Sequence, residues 1–266
     1  MGKAQKTAIT IAISNRKGGC GKTMTAASLA TGLARHGKRV LAVDADSQGS
    51  MSVSFGVAEP DKHTNTLATI MTHIVNEQDF DIRLGIISNA EGVDVMPANS
   101  SLSALEISLA GLIGRETILR QYMDKVKLLY DYIIIDTAPT LDLLTINVLA
   151  AVDNVIVPVT PKFLDALGLE LLLKSVAQIR RQINPKLEIG GILLTMVDRR
   201  ANLTREVITS IENAYGNKIK IFAESVPRSV RAAETSANGV SIFKHDKNGR
   251  VAAAYSALVE EVLANG

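Results

Sequence analysis

Three glycines, two lysines and a threonine fall within ten residues, Ser14-Asn15-Arg16-Lys17-Gly18-Gly19-Cys20-Gly21-Lys22-Thr23. Those types suit the binding of phosphate. Gly18, Gly19 and Gly21 allow backbone conformations closed to residues with a Cβ, so that N–H groups converge on phosphate oxygens. Lys22 supplies a full positive charge for β- and γ-phosphates, and the Thr23 hydroxyl can bind Mg²⁺. Asp44 and Asp46 lie in Asp44-Ala45-Asp46-Ser47-Gln48-Gly49, and Asp136 closes Asp131-Tyr132-Ile133-Ile134-Ile135-Asp136. An apolar run ending in an acid can carry Mg²⁺ through a water, the role expected of Asp136.

The elements around these residues must aim them at one place. Ile9-Thr10-Ile11-Ala12-Ile13 reads as a strand before the glycine-rich turn, and Met24 to His36 has helical spacing after it. Strand, turn, Lys-Thr and helix is the layout of a P-loop, with the positive end of the helix dipole near Lys22. Val40-Leu41-Ala42-Val43 reads as a buried parallel strand, so Asp44 and Asp46 face the ligand crevice of an open sheet. Further strands are expected at Ile86-Ile87-Ser88, at Val93 to Pro97 (paired with the preceding one), and at Asn154 to Val159. Others are expected at Ile192 to Val197 and at Ile219-Lys220-Ile221-Phe222, the last closing the sheet. Helices are expected at Leu67 to Met71, Ser100 to Leu109, Glu116 to Leu129 and Leu203 to Tyr215. Another carries one apolar face of Leu169, Leu172, Val176, Ile179 and Ile183. Strands alternating with helices predict an α/β fold, a doubly wound and mainly parallel sheet with flanking helices. With 266 residues, 47% of them hydrophobic, the chain is expected to form a single domain over residues 1–266.

The bulk properties exclude several classes. A net charge of +2 gives no global basic field, so DNA binding would need a local patch. Cys20 is the single cysteine, which rules out an internal disulfide and leaves it as a loop residue. Met1 to Lys6 is short and polar, no signal peptide, and no apolar stretch approaches the roughly 18 residues of a membrane span. A cytoplasmic location is expected. His63 and His73 have no ligand-like partner at useful spacing and are expected at the surface or in caps.

The loop departs from the common G-x-x-x-x-G-K-[ST] pattern, because position 16 is arginine and Lys17 adds a second lysine. This Lys-Gly-Gly-x-Gly-Lys-Thr form resembles the deviant Walker A loop of the ParA/MinD family of ATPases, and the likeness runs from Ile9 to Leu263. It is nearest to the short, Soj-like ParA proteins of chromosome and plasmid partitioning. The resemblance implies an ATP- and Mg²⁺-dependent ATPase, slow until a partner stimulates it, with Lys17, Lys22 and Asp46 as catalytic residues. Lys17 would reach the nucleotide of the other subunit in an ATP-dependent homodimer, and Asp46 would orient the attacking water. Gly18, Gly19, Cys20, Gly21, Lys22, Thr23 and Met24 would surround the nucleotide, with Pro227 and Arg228 of Val226 to Arg231 at the adenine. Thr23, Asp44 and Asp136 would hold the metal. Ser47 stands where the family usually has proline, which bears on the loop's stiffness and not on its acids. One cysteine is too few for an iron–sulfur relative.

Arg199, Arg200 and Arg205 cluster near one helix start, and by resemblance Arg200 and Arg231 match residues that grip the DNA backbone without reading sequence. Solvated surface arginines are the plain alternative. A ParB-like adaptor and a nucleoid-associated location follow from the same resemblance. A MinD-like membrane cycle would need a basic amphipathic C-terminal helix. Here no Lys or Arg follows Arg250, and Glu260 and Glu261 do; Tyr255, Leu258 and Val262 read as a helix docked on the body. A nucleotide-binding scaffold without hydrolysis, or an ATPase positioning another cargo, remains a further alternative.

Overall fold

Short β-branched runs between turn residues form the strands, and the longer amphipathic runs form helices around them. In the computed structural model, residues 7–198 and 200–265 are described. The chain runs β1 (Ile9–Ile13), α1 (Lys22–Arg35), β2 (Val40–Ala45), α2 (Ser50–Ser54), α3 (Leu67–Val75), β3 (Ile87–Ser88) and β4 (Val93–Met96). It continues α4 (Ser101–Leu109), α5 (Ile118–Val126), β5 (Tyr132–Thr137), α6 (Leu143–Ala151), β6 (Asn154–Val159), α7 (Phe163–Gln182) and β7 (Glu188–Leu194). It ends with α8 (Asn202–Tyr215), α9 (Val230–Asn238), α10 (Ile242–His245) and α11 (Arg250–Ala264).

The strands form one seven-stranded sheet in the order β3-β4-β2-β5-β1-β6-β7, parallel except for β3. Alternate residues of each central strand serve opposite faces, as the pleat requires. Ala12, Leu41, Val43, Ile133 and Ile135 belong to a core built with α3 to α8. Ile11, Ile13, Val40, Ala42 and Ile134 belong to a second core built with α1, α10 and α11. Both faces are therefore covered, which is why these strands read as continuous apolar runs. Strand β1 lies between β5 and β6. Successive connections diverge to either side of it, and the crevice at its C-terminal end is the place for a ligand.

Two expectations need correction. The stretch 219–222 is not a strand: Ile221 makes one bridge to Ile192, and the sheet ends at β7. The run meets β7 at a point where Gly191 has φ +153° and the Phe222 ring lies 2.7 Å from where a Cβ would stand. The strand expected over 192–197 is shifted to Glu188–Leu194, because the chain turns at Met196, φ +52°. Strands β3 and β4 do pair, but β4 also joins β2 in parallel, so the pair extends the main sheet.

Helix α11 backs the helix that carries the glycine-rich loop. Gly32 of α1 has Val259 pressed against it, 2.4 Å from the site of a Cβ, and the buried hydroxyls of Thr25 and Tyr255 are 3.1 Å apart. His36, at the end of α1, bonds the Gly32 carbonyl and Glu260 and is held above its ordinary pKa, first by that carbonyl. Tyr255→Phe is expected to lower the unfolding free energy by about 1 kcal/mol, and Thr25→Val by a similar amount. Denaturant titration of the double variant should show a loss smaller than the sum, since neither hydroxyl is then left alone.

Candidate nucleotide site

The loop between β1 and α1 is stapled from several sides. Asn15 is buried; its amide donates to the Pro158 carbonyl at 2.6 Å and its oxygen accepts the Lys17 N–H at 3.1 Å. Gly19 and Gly21 take φ of +70° and +85°, which residues with a Cβ avoid. The Lys22 ammonium, nearly buried, folds back to the Lys17 carbonyl at 3.0 Å. The buried Cys20 thiol donates to the same carbonyl, and Thr195 Oγ1 donates to the Cys20 carbonyl at 2.8 Å. The loop's cavity-facing surface is left to glycine backbone and to Lys22, Thr23 and Met24.

Asp44 and Asp136 are direct register partners on β2 and β5, and both are fully buried. Asp44 accepts the Ser52 amide and hydroxyl, each at 2.8 Å, and the Asp46 N–H at 3.2 Å. Burial nevertheless pushes its pKa up to about 6. Among the described residues, neither Asp136 carboxylate oxygen has a partner at hydrogen-bond geometry. Burial and then the neighbouring Asp44 hold it well above the usual carboxylate range, opposed by the Thr23 hydroxyl and the Lys22 ammonium. Two buried carboxylates side by side cannot both ionise on the charge of one lysine. An orphaned buried carboxylate beside a threonine hydroxyl fits a divalent cation held by Thr23, Asp136 and Asp44.

A cavity of about 660 Å³ joins the parts. Gly18, Gly19, Gly21, Lys22, Thr23 and Asp46 line it together with Met196, Pro227, Arg228, Ser229 and Tyr255. Asp46 is half-buried, with Oδ1 accepting the Gln48 N–H at 3.0 Å. The structure thus gathers the loop, Asp46, Pro227 and Arg228 around one space, with Asp44 and Asp136 in the sheet beneath. The Cys20 side chain is turned away, so only its backbone belongs to the loop surface. Lys17 is half-buried within the loop.

The expected DNA arginines are not equivalent. Arg200 lines a second cavity of about 940 Å³ with Arg228, Arg250 and Asp198, whereas Arg231 is paired with Asp246 at 2.9 Å. Residues 227–230 line both cavities. Arg199 lies outside the described residues, as do Met1 to Lys6. His63 and His73 bond the Ala58 carbonyl and Gln78. Residue-by-residue reading missed Ser52, Thr195 and Met196. The first two act through hydrogen bonds across the fold and leave no local pattern. Met196 falls in an apolar run with the pattern of a strand, and nothing in its neighbours signals a left-handed backbone.

The acid pair gives a pH dependence. A carboxyl whose folded pKa is raised binds more protons folded than unfolded, so its contribution to stability falls as pH rises from about 4 through about 6. Without nucleotide or divalent cation, the wild-type protein should lose more stability between pH 4.5 and 7.5 than Asp44→Asn does. Urea titrations at the two pH values measure that difference. An equal loss in both proteins would refute the raised pKa.

The comparisons with known proteins agree with this geometry. A family profile described as an AAA domain matches residues 8–189. The sporulation initiation inhibitor protein Soj of Bacillus subtilis is 40% identical over 256 residues, covering 96% of this chain and 98% of that one. The chromosome partitioning protein ParA of Caulobacter vibrioides is 35% identical over 255 residues, covering 95% and 93%. Among solved structures, the cobyrinic acid a,c-diamide synthase of Mycobacterium smegmatis, with bound ATP analog and magnesium, superposes with a TM-score of 0.85. It is 29% identical, with 97% of this chain and 95% of that one covered. With its deviant loop, its acids on adjacent strands and end-to-end similarity to Soj and ParA, the chain belongs to the ParA/MinD family of P-loop ATPases, in its Soj-like branch.

Proposed function

We propose that residues 1–266 act as one ATPase domain that dimerises on ATP, binds DNA without sequence preference and partitions a chromosome, plasmid or mobile element with a ParB-like adaptor. The observation that carries the reading is the buried Asp44–Asp136 pair beside the loop, a site short of positive charge. Thr23, Asp136 and Asp44 would hold Mg²⁺, which would supply charge neutralisation for the transferring phosphoryl group. Lys22 lays its ammonium on the phosphates, and the backbone from Gly18 to Met24 gives them N–H donors and a helix N-terminus. Asp46 orients the attacking water, while Pro227 and Arg228 hold the adenine end. Lys17 completes the partner subunit's site, so ATP joins two subunits and hydrolysis releases them. Turnover is slow until the adaptor stimulates it.

Arg200 and Arg231 supply the DNA contact, doubled by the dimer, at phosphates and not at bases. The relatives named for chromosome partitioning support this track, at the nucleoid of the cytoplasm. A membrane track is disfavoured by α11. Its Val251, Tyr255, Leu258 and Val262 are buried in the core, and Glu261 bonds the Ala223 N–H and Lys220. No helix among the described residues is long and apolar enough to cross a membrane.

Lys22→Ala should abolish nucleotide binding by calorimetry, and Lys17→Ala should keep it in the monomer yet lose the ATP-dependent dimer on gel filtration. An ATP-bound dimer of Lys17→Ala would refute the trans role. Asp46→Ala should form a dimer that does not turn over. Its retention on DNA should require ATP, fail with ADP and fall steeply with salt. Arg200→Ala or Arg231→Ala should lower the salt slope by about one per arginine removed. Absence of DNA binding in a protein that still dimerises would move the track to a protein or membrane surface.

A further inference from the structure

Arg231 already holds an anion supplied by its own chain. It stands in the first turn of α9, where the helix dipole opposes a positive charge and no acidic residue of that turn offsets it. The offsetting charge comes from the residue after α10, whose carboxylate oxygen Asp246 Oδ1 accepts from Arg231 Nη1 at 2.9 Å. The other oxygen, Oδ2, fills the place that a Cβ on Gly249 would take. Gly249 has φ −75°, which any residue adopts, so its missing side chain serves the carboxylate and not the backbone. A second contact, His245 Nε2 with Glu234 Oε2 at 3.2 Å, joins the same two helices and keeps them in register. The Asp246 side chain is thus lodged, 17% exposed, while that of Arg231 is 68% exposed.

We propose that Asp246 is an internal stand-in for DNA phosphate, holding Arg231 while no DNA is bound and competing with the DNA backbone for it. This rests on the DNA reading of Arg231 above and adds the regulation of that contact. A phosphate meets the same need as the carboxylate, a negative charge on a guanidinium at a helix N-terminus. The two cannot meet it together at full strength, because anions on one guanidinium stand close enough to repel each other. The opposite role would have Asp246 aim Arg231 and leave its other N–H groups for phosphate. The observations favour competition. Aiming a planar guanidinium calls for a forked, two-bond grip, and the contact here is the one Nη1–Oδ1 bond. An ion pair with so exposed a partner is weak, so an arriving phosphate can break it. The DNA grip is then looser than the arginine could deliver, as a subunit that must leave DNA after each hydrolysis requires.

The test measures affinity for a short DNA duplex of arbitrary sequence, with a non-hydrolysable ATP analogue and across a salt series. Wild type is compared with Asp246→Asn, Arg231→Ala and the double variant. Asp246→Asn should bind DNA about threefold more tightly, with a steeper salt dependence, while its ATP-dependent dimer on gel filtration is unchanged. In the Arg231→Ala background the same substitution should give little of that gain. A gain of full size there overturns the proposal, since loss of any negative charge would then suffice. Weaker binding by Asp246→Asn would make Asp246 the residue that aims the arginine, and unchanged binding would leave the pair a surface contact; either result overturns it. Asp246→Ser, which also removes the charge, takes the place of the asparagine variant if that one melts below wild type. Wild-type DNA affinity in Arg231→Ala would instead sink the DNA role of Arg231 itself, and the competition with it.

Discussion

Two carboxylates buried side by side in a sheet are the constraint from which the rest of this site follows. Asp44 and Asp136 are placed together by the β2–β5 register, and a slip of one residue would turn each side chain to the opposite face. Their charge is answered unequally. Asp44 has three donors, two of them from Ser52 in the short helix α2, while Asp136 is answered by the nearby Thr23 hydroxyl and Lys22 ammonium alone among the described residues. The turn through Asp46 and Gly49 is tied to this arrangement, since the Asp46 N–H donates to Asp44 and the Asp46 carboxylate accepts the Gln48 N–H. The acid assigned to water is therefore held by the acid assigned to metal, and movement of one carries to the other.

The same economy governs the far end of the cavity. Residues 227–230 form a thin wall with the nucleotide space on one side and the arginine-lined groove on the other. Val197 pairs with Pro227 by a bridge, and the segment is tied to the end of β7 through the Val226 N–H to Leu194, the Val197 N–H to Val226 and the Arg228 N–H to Val197. A base resting on Pro227 and Arg228 would fix its position, and with it the placement of Arg228 and of the start of α9, which carries Arg231.

The fold and the loop were legible in the sequence because they rest on local patterns. Apolar runs of four to six residues gave the strands, and glycines beside Lys-Thr gave the phosphate loop. The C-terminal helix was also legible, since Tyr255, Leu258 and Val262 share one face. What could not be read depends on register and on contacts between distant segments. Nothing near Ile219 shows that Gly191 would admit Phe222 at one point only. Nothing near Met196 shows that Thr195 and Val197 are pulled toward different neighbours. The adjacency of Asp44 and Asp136, though expected from their strand ends, became a pairing only when the strand order put β2 beside β5. Arg200 and Arg231 look alike in sequence, yet one lines a groove and the other meets Asp246, a residue fifteen positions on.

The packing of α11 on α1 reaches beyond stability. Gly32 has no space for a methyl group while Val259 is valine, and a β-branched side chain has little rotamer freedom in a helix with which to retreat. A larger residue at one position is admissible only with a smaller residue at the other. Gly32 and Val259 should therefore drift through evolution as a pair, and a lineage that changed one first would pass through a weakened intermediate. Two sites far apart in the chain form one heritable unit, and the helix behind the phosphate loop inherits its history from the C-terminus.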